Sequence, residues 1–239
     1  RCGNFDEEGI EKEIHHYGLD ADQLAARLRA IEPPDVIAIS SIFTWSAGPV
    51  RDTIDVCKRV FPSARVILGG NFPTLCPAEA STLGADEIHT GDLSDALFLP
   101  TAIDLLPGEP KTDFVSMVKG CPHHCDYCVT PVLNGRHVLA RSPDAVFAEM
   151  TEKLRTNGTR TFVFYDDFVQ FQHTKYLDPL LEKLTNGNPG LTVEFALGFA
   201  AYMITEPFAA RLRAAGIHRV ILALETISEE RSRDMQRPQ

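Results

Sequence analysis

Cys121-Pro-His-His-Cys125-Asp-Tyr-Cys128 puts three cysteines in a C-x3-C-x2-C array. It follows an apolar run, Phe114-Val-Ser-Met-Val118, and the turn signal Lys119-Gly120. Three thiolates this close in sequence can meet at one metal centre only if the backbone loops around it. Gly120 and Pro122 suit such a loop, one by conformational freedom and the other by a fixed turn. Thiolates favour zinc or iron–sulfur clusters. A closed zinc site or fully ligated cluster wants four protein ligands, and no fourth cysteine lies at a nearby spacing. The spacing admits a Cys3His zinc site completed by His123, His124 or His137, three unrelated core cysteines, or a cubane with one iron left open.

Strand and helix signals alternate on both sides of the array. Upstream, a helix is expected over Asp20 to Ile31, ended by Pro33-Pro34, then a buried parallel strand at Val36–Ser40. A second helix carries Val50, Ile54, Cys57 and Phe61 on one face, which makes Cys57 a core residue. Strands at Val66–Leu68 and Glu87–His89 end at Gly69-Gly70 and Gly91. Ligands of open α/β sheets bind outside the carboxyl ends of the strands, where Ser40, Ser41, Gly69, Gly70 and Gly91 fall. Downstream, Ser142-Pro143-Asp144 is a strong helix start. Strands are expected at Thr161–Tyr165, Leu191–Leu197 and Val220–Leu224, with helices between them. This pattern predicts a barrel-like parallel sheet, with the cysteine loop, Asp166-Asp167 and Glu225 at one end of it. Residues 1–18 are polar without clear periodicity. The division expected is a first domain at 1–98, a Pro-rich linker at 99–112 and a second domain at 113–239.

The cysteine spacing after a strand resembles the signature of the radical S-adenosylmethionine (radical SAM) family. The resemblance implies that Cys121, Cys125 and Cys128 hold a [4Fe–4S] cluster whose open iron binds S-adenosylmethionine. One electron then releases a 5′-deoxyadenosyl radical from that cofactor. Tyr127 stands where the family carries an aromatic residue beside the adenine. Phe164-Tyr-Asp-Asp-Phe168 is similar to the F-x-D-D-x-x-F variant of cobalamin-associated members, and Glu225 in Ala223-Leu-Glu-Thr-Ile-Ser228 to their G-x-E-S/T. These place Asp166, Asp167 and Glu225 at S-adenosylmethionine. Asp35–Ser41, Val66–Pro73 and His89-Thr-Gly-Asp92 resemble a cobalamin-binding domain, with Ser40, Ser41, Gly69, Gly70 and Gly91 lining its groove. The D-x-H-x-x-G motif is absent, which argues against a histidine ligand to cobalt, and Gly91-Asp-Leu-Ser94 stands for the usual G-E-G-E. A cofactor-free Rossmann-like first domain, and a zinc-stabilised binding module without catalysis, are the rival readings.

The whole is therefore expected to be an α/β protein, an incomplete Rossmann-like cobalamin-binding domain followed by a partial (β/α) radical SAM barrel. A chain opening on Arg1 and closing soon after a helix start reads as a fragment. With a formal net charge of -10 over 239 residues, general nucleic-acid binding is not expected. No apolar run reaches the roughly 20 residues that span a bilayer. Cys2, Cys57 and Cys76 form no disulfide framework, so a reducing cytoplasm is the expected setting. The partners implied are a small-molecule substrate and an electron donor such as flavodoxin or ferredoxin.

Overall fold

The structure is a computed structural model describing residues 4–7, 10–13, 18–91, 112–187 and 190–237, with backbone alone at 4–7 and 10–13. The chain divides into two compact units, Arg1–Gly91 and Asp92–Gln239. The linker expected at 99–112 lies outside the described residues except for Thr112, which opens a strand.

The first unit starts with an antiparallel pair, β1 (Asn4–Glu7) and β2 (Ile10–Glu13), which the unpatterned polar sequence gave no reason to expect. Helix α1 (Ala21–Leu28) begins in a capping box, Asp20 accepting from the Gln23 amide while the Gln23 side chain accepts from the Asp20 amide. It ends one turn before Ile31, which is exposed. Strands β3 (Val36–Ser40), β4 (Arg65–Gly69) and β5 (Glu87–Ile88) form a parallel sheet in that order. They are joined by α2 (Ala47–Val60), α3 (Asn71–Leu75) and α4 (Pro77–Ala80). The core gathers Ile54, Cys57, Val66, Leu68, Phe72 and Leu83. Cys57 is a core residue as expected, its thiol pushed up by burial. Strand β3 differs from the expected buried run. Val36, Ala38 and Ser40 are exposed because, among the described residues, β3 pairs on one side only and packs one face, Ile37 and Ile39, on the core.

The second unit opens with β6 (Thr112–Val115), then β7 (Val118–Lys119), α5 (Thr130–Leu133) and β8 (Leu139–Ala140). Helix α6 (Pro143–Asn157) starts on the Ser142 cap and stops at Gly158, whose φ of 69° suits glycine. There follow β9 (Thr161–Phe164), α7 (Leu177–Gly187), β10 (Thr192–Phe195), β11 (Phe199–Ala200), α8 (Glu206–Ala214), β12 (Leu222–Ala223) and α9 (Glu229–Asp234). Strands β10, β9 and β6 form one parallel sheet in that order. Strands β11 and β12 pair in parallel as a separate ladder. The parallel α/β plan agrees with the sequence, but its single sheet is two ladders among the described residues. The expected strand at 220–224 shortens to two residues, and Ile221, Leu222 and Leu224 remain exposed.

Strand β6 carries the other departure. Asp113 and Val115 face inward and Phe114 outward, because successive residues of a strand alternate faces. A carboxylate is thus fully buried one residue ahead of the apolar run at 114–118. Lys153 of α6 meets it at 2.5 Å and also reaches Glu149 at 3.2 Å, which pairs with Arg141 at 2.6 Å. The Arg141 guanidinium donates to the Ser116 carbonyl. A buried ionic chain therefore runs from β6 to the stem of the cysteine loop.

Candidate functional site

The cysteine loop leaves the sheet at the carboxyl end of β6 and returns through β8. Its neck is the antiparallel contact of Val118–Lys119 with Leu139–Ala140. Gly120 closes it tightly: its φ is +86°, and a Cβ there would lie 2.5 Å from the His137 carbonyl oxygen. The Cys121 amide donates to the Gly135 carbonyl at 3.4 Å. Burial pushes the Cys121 thiol up, and the nearby Cys128, Cys125 and Asp167 charges push it the same way. Among the described residues no three His, Cys, Asp or Glu side chains stand close enough together to bind a metal ion as they are placed. What the structure fixes is the neck, with three half-buried cysteines on the arc beyond it.

Two of the three histidines that could complete a zinc site, His123 and His124, have protein partners, while His137 is exposed. The His123 ring meets Tyr202 Oη at 3.3 Å and stands edge-on to Phe168, with centroids 4.6 Å apart. Burial, then Arg237 and His124, depress its pKa. His124 Nδ1 lies 2.7 Å from the Arg136 guanidinium, which can only donate, so this nitrogen is the acceptor. Three thiols on one arc suit an iron–sulfur cluster with an open iron.

Asp166 and Asp167 leave the carboxyl end of β9, beside β6, and so share the sheet end with the loop. Their carboxylates accept hydrogen bonds from the chain itself. Asp166 Oδ1 accepts from the Met117 amide at 2.6 Å, from the Val118 amide and from the Ser116 hydroxyl at 3.2 Å. Asp167 accepts from the Gly120 amide at 2.7 Å and from Asn134 Nδ2 at 2.9 Å. Both grip the loop's backbone and stem.

Burial raises the Asp166 pKa to about 7 against the pull of those hydrogen bonds. Its folded form therefore holds a proton that the unfolded chain releases near the ordinary value of 3.8. Stability is free of this cost below 3.8, falls as pH rises toward about 7, and is level beyond. Asp166→Asn should flatten that slope in urea unfolding followed over about pH 4 to 8; an unchanged slope would refute it.

Tyr127 and Glu225, more than ninety residues apart in sequence, meet on one side chain. Arg237 Nε pairs with Glu225 at 2.6 Å and its Nη1 donates to Tyr127 Oη at 2.5 Å. The Asp126 amide donates to the Met235 carbonyl, and Gln236 Nε2 to Asp126 Oδ1 at 2.7 Å. Glu225 thus reaches the cysteine loop through the segment 235–237 and not through a shared sheet. Arg237 and Asn134 are the residues the sequence reading missed. The Asn134-Gly135 pair is a turn signal that could have pointed to the second; nothing local marks the first.

In the first unit, Ser40, Ser41, Gly69, Gly70 and Gly91 gather at the carboxyl ends of β3, β4 and β5. The Ser41 amide donates to the Gly69 carbonyl, and Thr74 Oγ1 bridges the Gly70 carbonyl and the Gly91 amide. Gly70 is required by the chain itself. A Cβ there would lie 2.6 Å from the Ser41 carbonyl oxygen, and its φ is +100°. Gly70→Leu should therefore lower the melting temperature of the first unit as well as block any ligand. Calorimetry checks this, and an unchanged transition would contradict it. His89 Nε2 at the same end is buried without a hydrogen-bond partner, and Ser40 is exposed. An orphaned polar atom beside an open strand end fits a polar ligand tail such as that of cobalamin.

Comparison with known proteins agrees with both units. Residues 3–97 match the model of the B12 binding domain, and residues 115–239 that of the radical SAM superfamily. A tRNA-2-methylthio-N(6)-dimethylallyladenosine synthase of Thermus thermophilus is 36% identical over 67 residues, 27% of this chain and 14% of that protein. A bacteriochlorophyllide d C-12(1)-methyltransferase of Chlorobaculum tepidum is 25% identical over 235 residues, covering 82% of this chain and 49% of that one. The radical S-adenosylmethionine methyltransferase TsrM of Kitasatospora setae superposes with a TM-score of 0.67 at 18% identity, over 86% of this chain and 51% of its own. The chain thus spans at most about half the length of these proteins. With the cysteine array lying inside the region matched, the chain belongs to the radical SAM superfamily and carries a B12 binding domain ahead of its radical SAM region.

Proposed function

We propose that this chain is the cofactor-binding part of a cobalamin-dependent radical SAM enzyme that reductively cleaves S-adenosylmethionine. The observation that carries this reading is one tightly necked loop with three cysteines at a strand's carboxyl end. Cys121, Cys125 and Cys128 would hold a [4Fe–4S] cluster. When bound, the cluster supplies the electron that breaks a carbon–sulfur bond of S-adenosylmethionine, and cobalamin supplies a carrier for a methyl group. Methyl transfer or related radical chemistry on a small molecule is the reaction class. It takes support from the methyltransferases among the relatives. Ser40, Ser41, Gly69, Gly70 and Gly91 form the strand-end groove for cobalamin, with His89 beside them.

Tyr127 and Glu225, both exposed, are the residues of this chain for S-adenosylmethionine, held in place by Arg237. Asp166 and Asp167 act through the loop. Flavodoxin or ferredoxin is the electron donor that fits, and the cytoplasm the setting. Among the described residues no helix is long and apolar enough to cross a membrane.

The test is S-adenosylmethionine titration of the reduced, reconstituted full-length protein by electron paramagnetic resonance, with 5′-deoxyadenosine counted as product. Glu225→Gln should weaken binding roughly ten- to a hundredfold, the worth of a charge-assisted hydrogen bond, and leave the cluster signal intact. Equal affinity in the two proteins would remove Glu225 from the site. Absence of 5′-deoxyadenosine from the wild type would defeat the reading.

A further inference from the structure

We propose that Asp167 is a positioning residue that, with Asn134, clasps the two ends of the cysteine arc and fixes the frame in which Cys121, Cys125 and Cys128 close on a cluster. The inference rests on the cluster reading above and adds a device to it. One oxygen of Asp167 takes the Gly120 amide at the entrance of the arc, and both oxygens take Asn134 Nδ2 at its exit. Asn134 is the C-cap of α5, its own amide donating to the Thr130 carbonyl, so the exit side of the clasp is part of a fixed turn. Asp167 is itself fixed, because its neighbour Asp166 is tied to Met117, Val118 and Ser116.

Beside the clasp, the Arg141 amide donates to the Met117 carbonyl at 2.9 Å and the Arg136 guanidinium to the His123 carbonyl at 3.1 Å. The Cys121 to Gly135 hydrogen bond is long at 3.4 Å, and the β7–β8 ladder is two residues deep. The thiols do not converge as placed. Bringing them together on a cluster carries an entropic cost that depends on how firmly the ends of the arc are already joined. A carboxylate suits the clasp because its two oxygens can face two donors at once. Among the described residues the side-chain hydrogen bonds of Asp167 go to the two ends of the arc, as a clasp requires.

The polarity of the clasp can be inverted, which gives the test. Asn134→Asp sets a carboxylate against Asp167, where an amide now stands 2.9 Å away. Adding Asp167→Asn restores one donor and one acceptor, since the new amide can accept from Gly120 and donate to the new carboxylate. Two rates are read on the full-length protein. The first is amide exchange across residues 120–128 in the metal-free form, and the second is iron release to a chelator after reconstitution. Asn134→Asp should speed both about tenfold or more, and the double variant should return both to within about threefold of wild type. Far-ultraviolet circular dichroism confirms that each variant is folded.

Unchanged rates in Asn134→Asp would overturn the clasp. So would a double variant that is no better than the single one, or that fails to fold. The exchange arm needs no cluster. If Cys125→Ala kept its iron, the cluster reading would fail while the exchange data still decided the clasp.

Discussion

Gly120→Ala should abolish stable iron loading and leave the first unit unaffected. The new Cβ would lie 2.5 Å from the His137 carbonyl oxygen and 3.2 Å from that of Gly135, both of them backbone atoms that cannot swing aside. The φ of +86° adds a conformational cost of about 1–3 kcal/mol for any residue with a side chain. The cheapest relief is to open the neck, which pulls the Gly120 amide off Asp167 and lets Cys121 drift from Cys125 and Cys128. Iron per chain after anaerobic reconstitution, together with exchange at residues 120–128, measures this. A Gly120→Ala protein that loads iron like the wild type would show that the neck is not needed.

The largest loss of stability is expected at Lys153. It lies between Asp113, fully buried, and Glu149, so Lys153→Met leaves two buried carboxylates without their shared cation. Removing one member of a buried pair costs about 3–5 kcal/mol, whereas replacing the pair by packed apolar groups is often close to neutral. The double variant Asp113→Leu/Lys153→Met should therefore be more stable than Lys153→Met alone, with Glu149 still paired to Arg141. Urea unfolding of the three proteins checks the order. A double variant that falls below the single one would mean that the ionic chain is itself required, through Arg141 and Ser116, to shape the loop stem.

The parts of the molecule legible in the sequence are those written in short-range chemistry. The Ser142 cap, the Cys57 helix face and the strand ends at Gly69-Gly70 all follow from spacing that neighbouring residues dictate. The cysteine loop is legible for the same reason, since its three cysteines fall within one turn-rich stretch. The roles of Asp166 and Asp167 were not, because a strand-end carboxylate looks the same whether it meets a cofactor or a backbone amide. Only the return of the chain beside β6 decides between them. Asp113 reads as a polar residue ahead of an apolar run until the strand's register turns it inward. Arg237 could not be read at all: its partners Tyr127 and Glu225 come from distant stretches, and nothing near Arg237 in sequence marks the meeting.

The central claim is that one loop's three cysteines hold the iron, and iron counting tests it most directly. After anaerobic reconstitution the full-length wild type should carry about four irons per chain with the spectrum of a [4Fe–4S] cluster. Cys121→Ala, Cys125→Ala and Cys128→Ala should each lose it, while Cys57→Ala and Cys76→Ala should keep it. A Cys125→Ala protein with a full complement of iron, or a wild type that takes up colourless zinc in its place, would contradict the account.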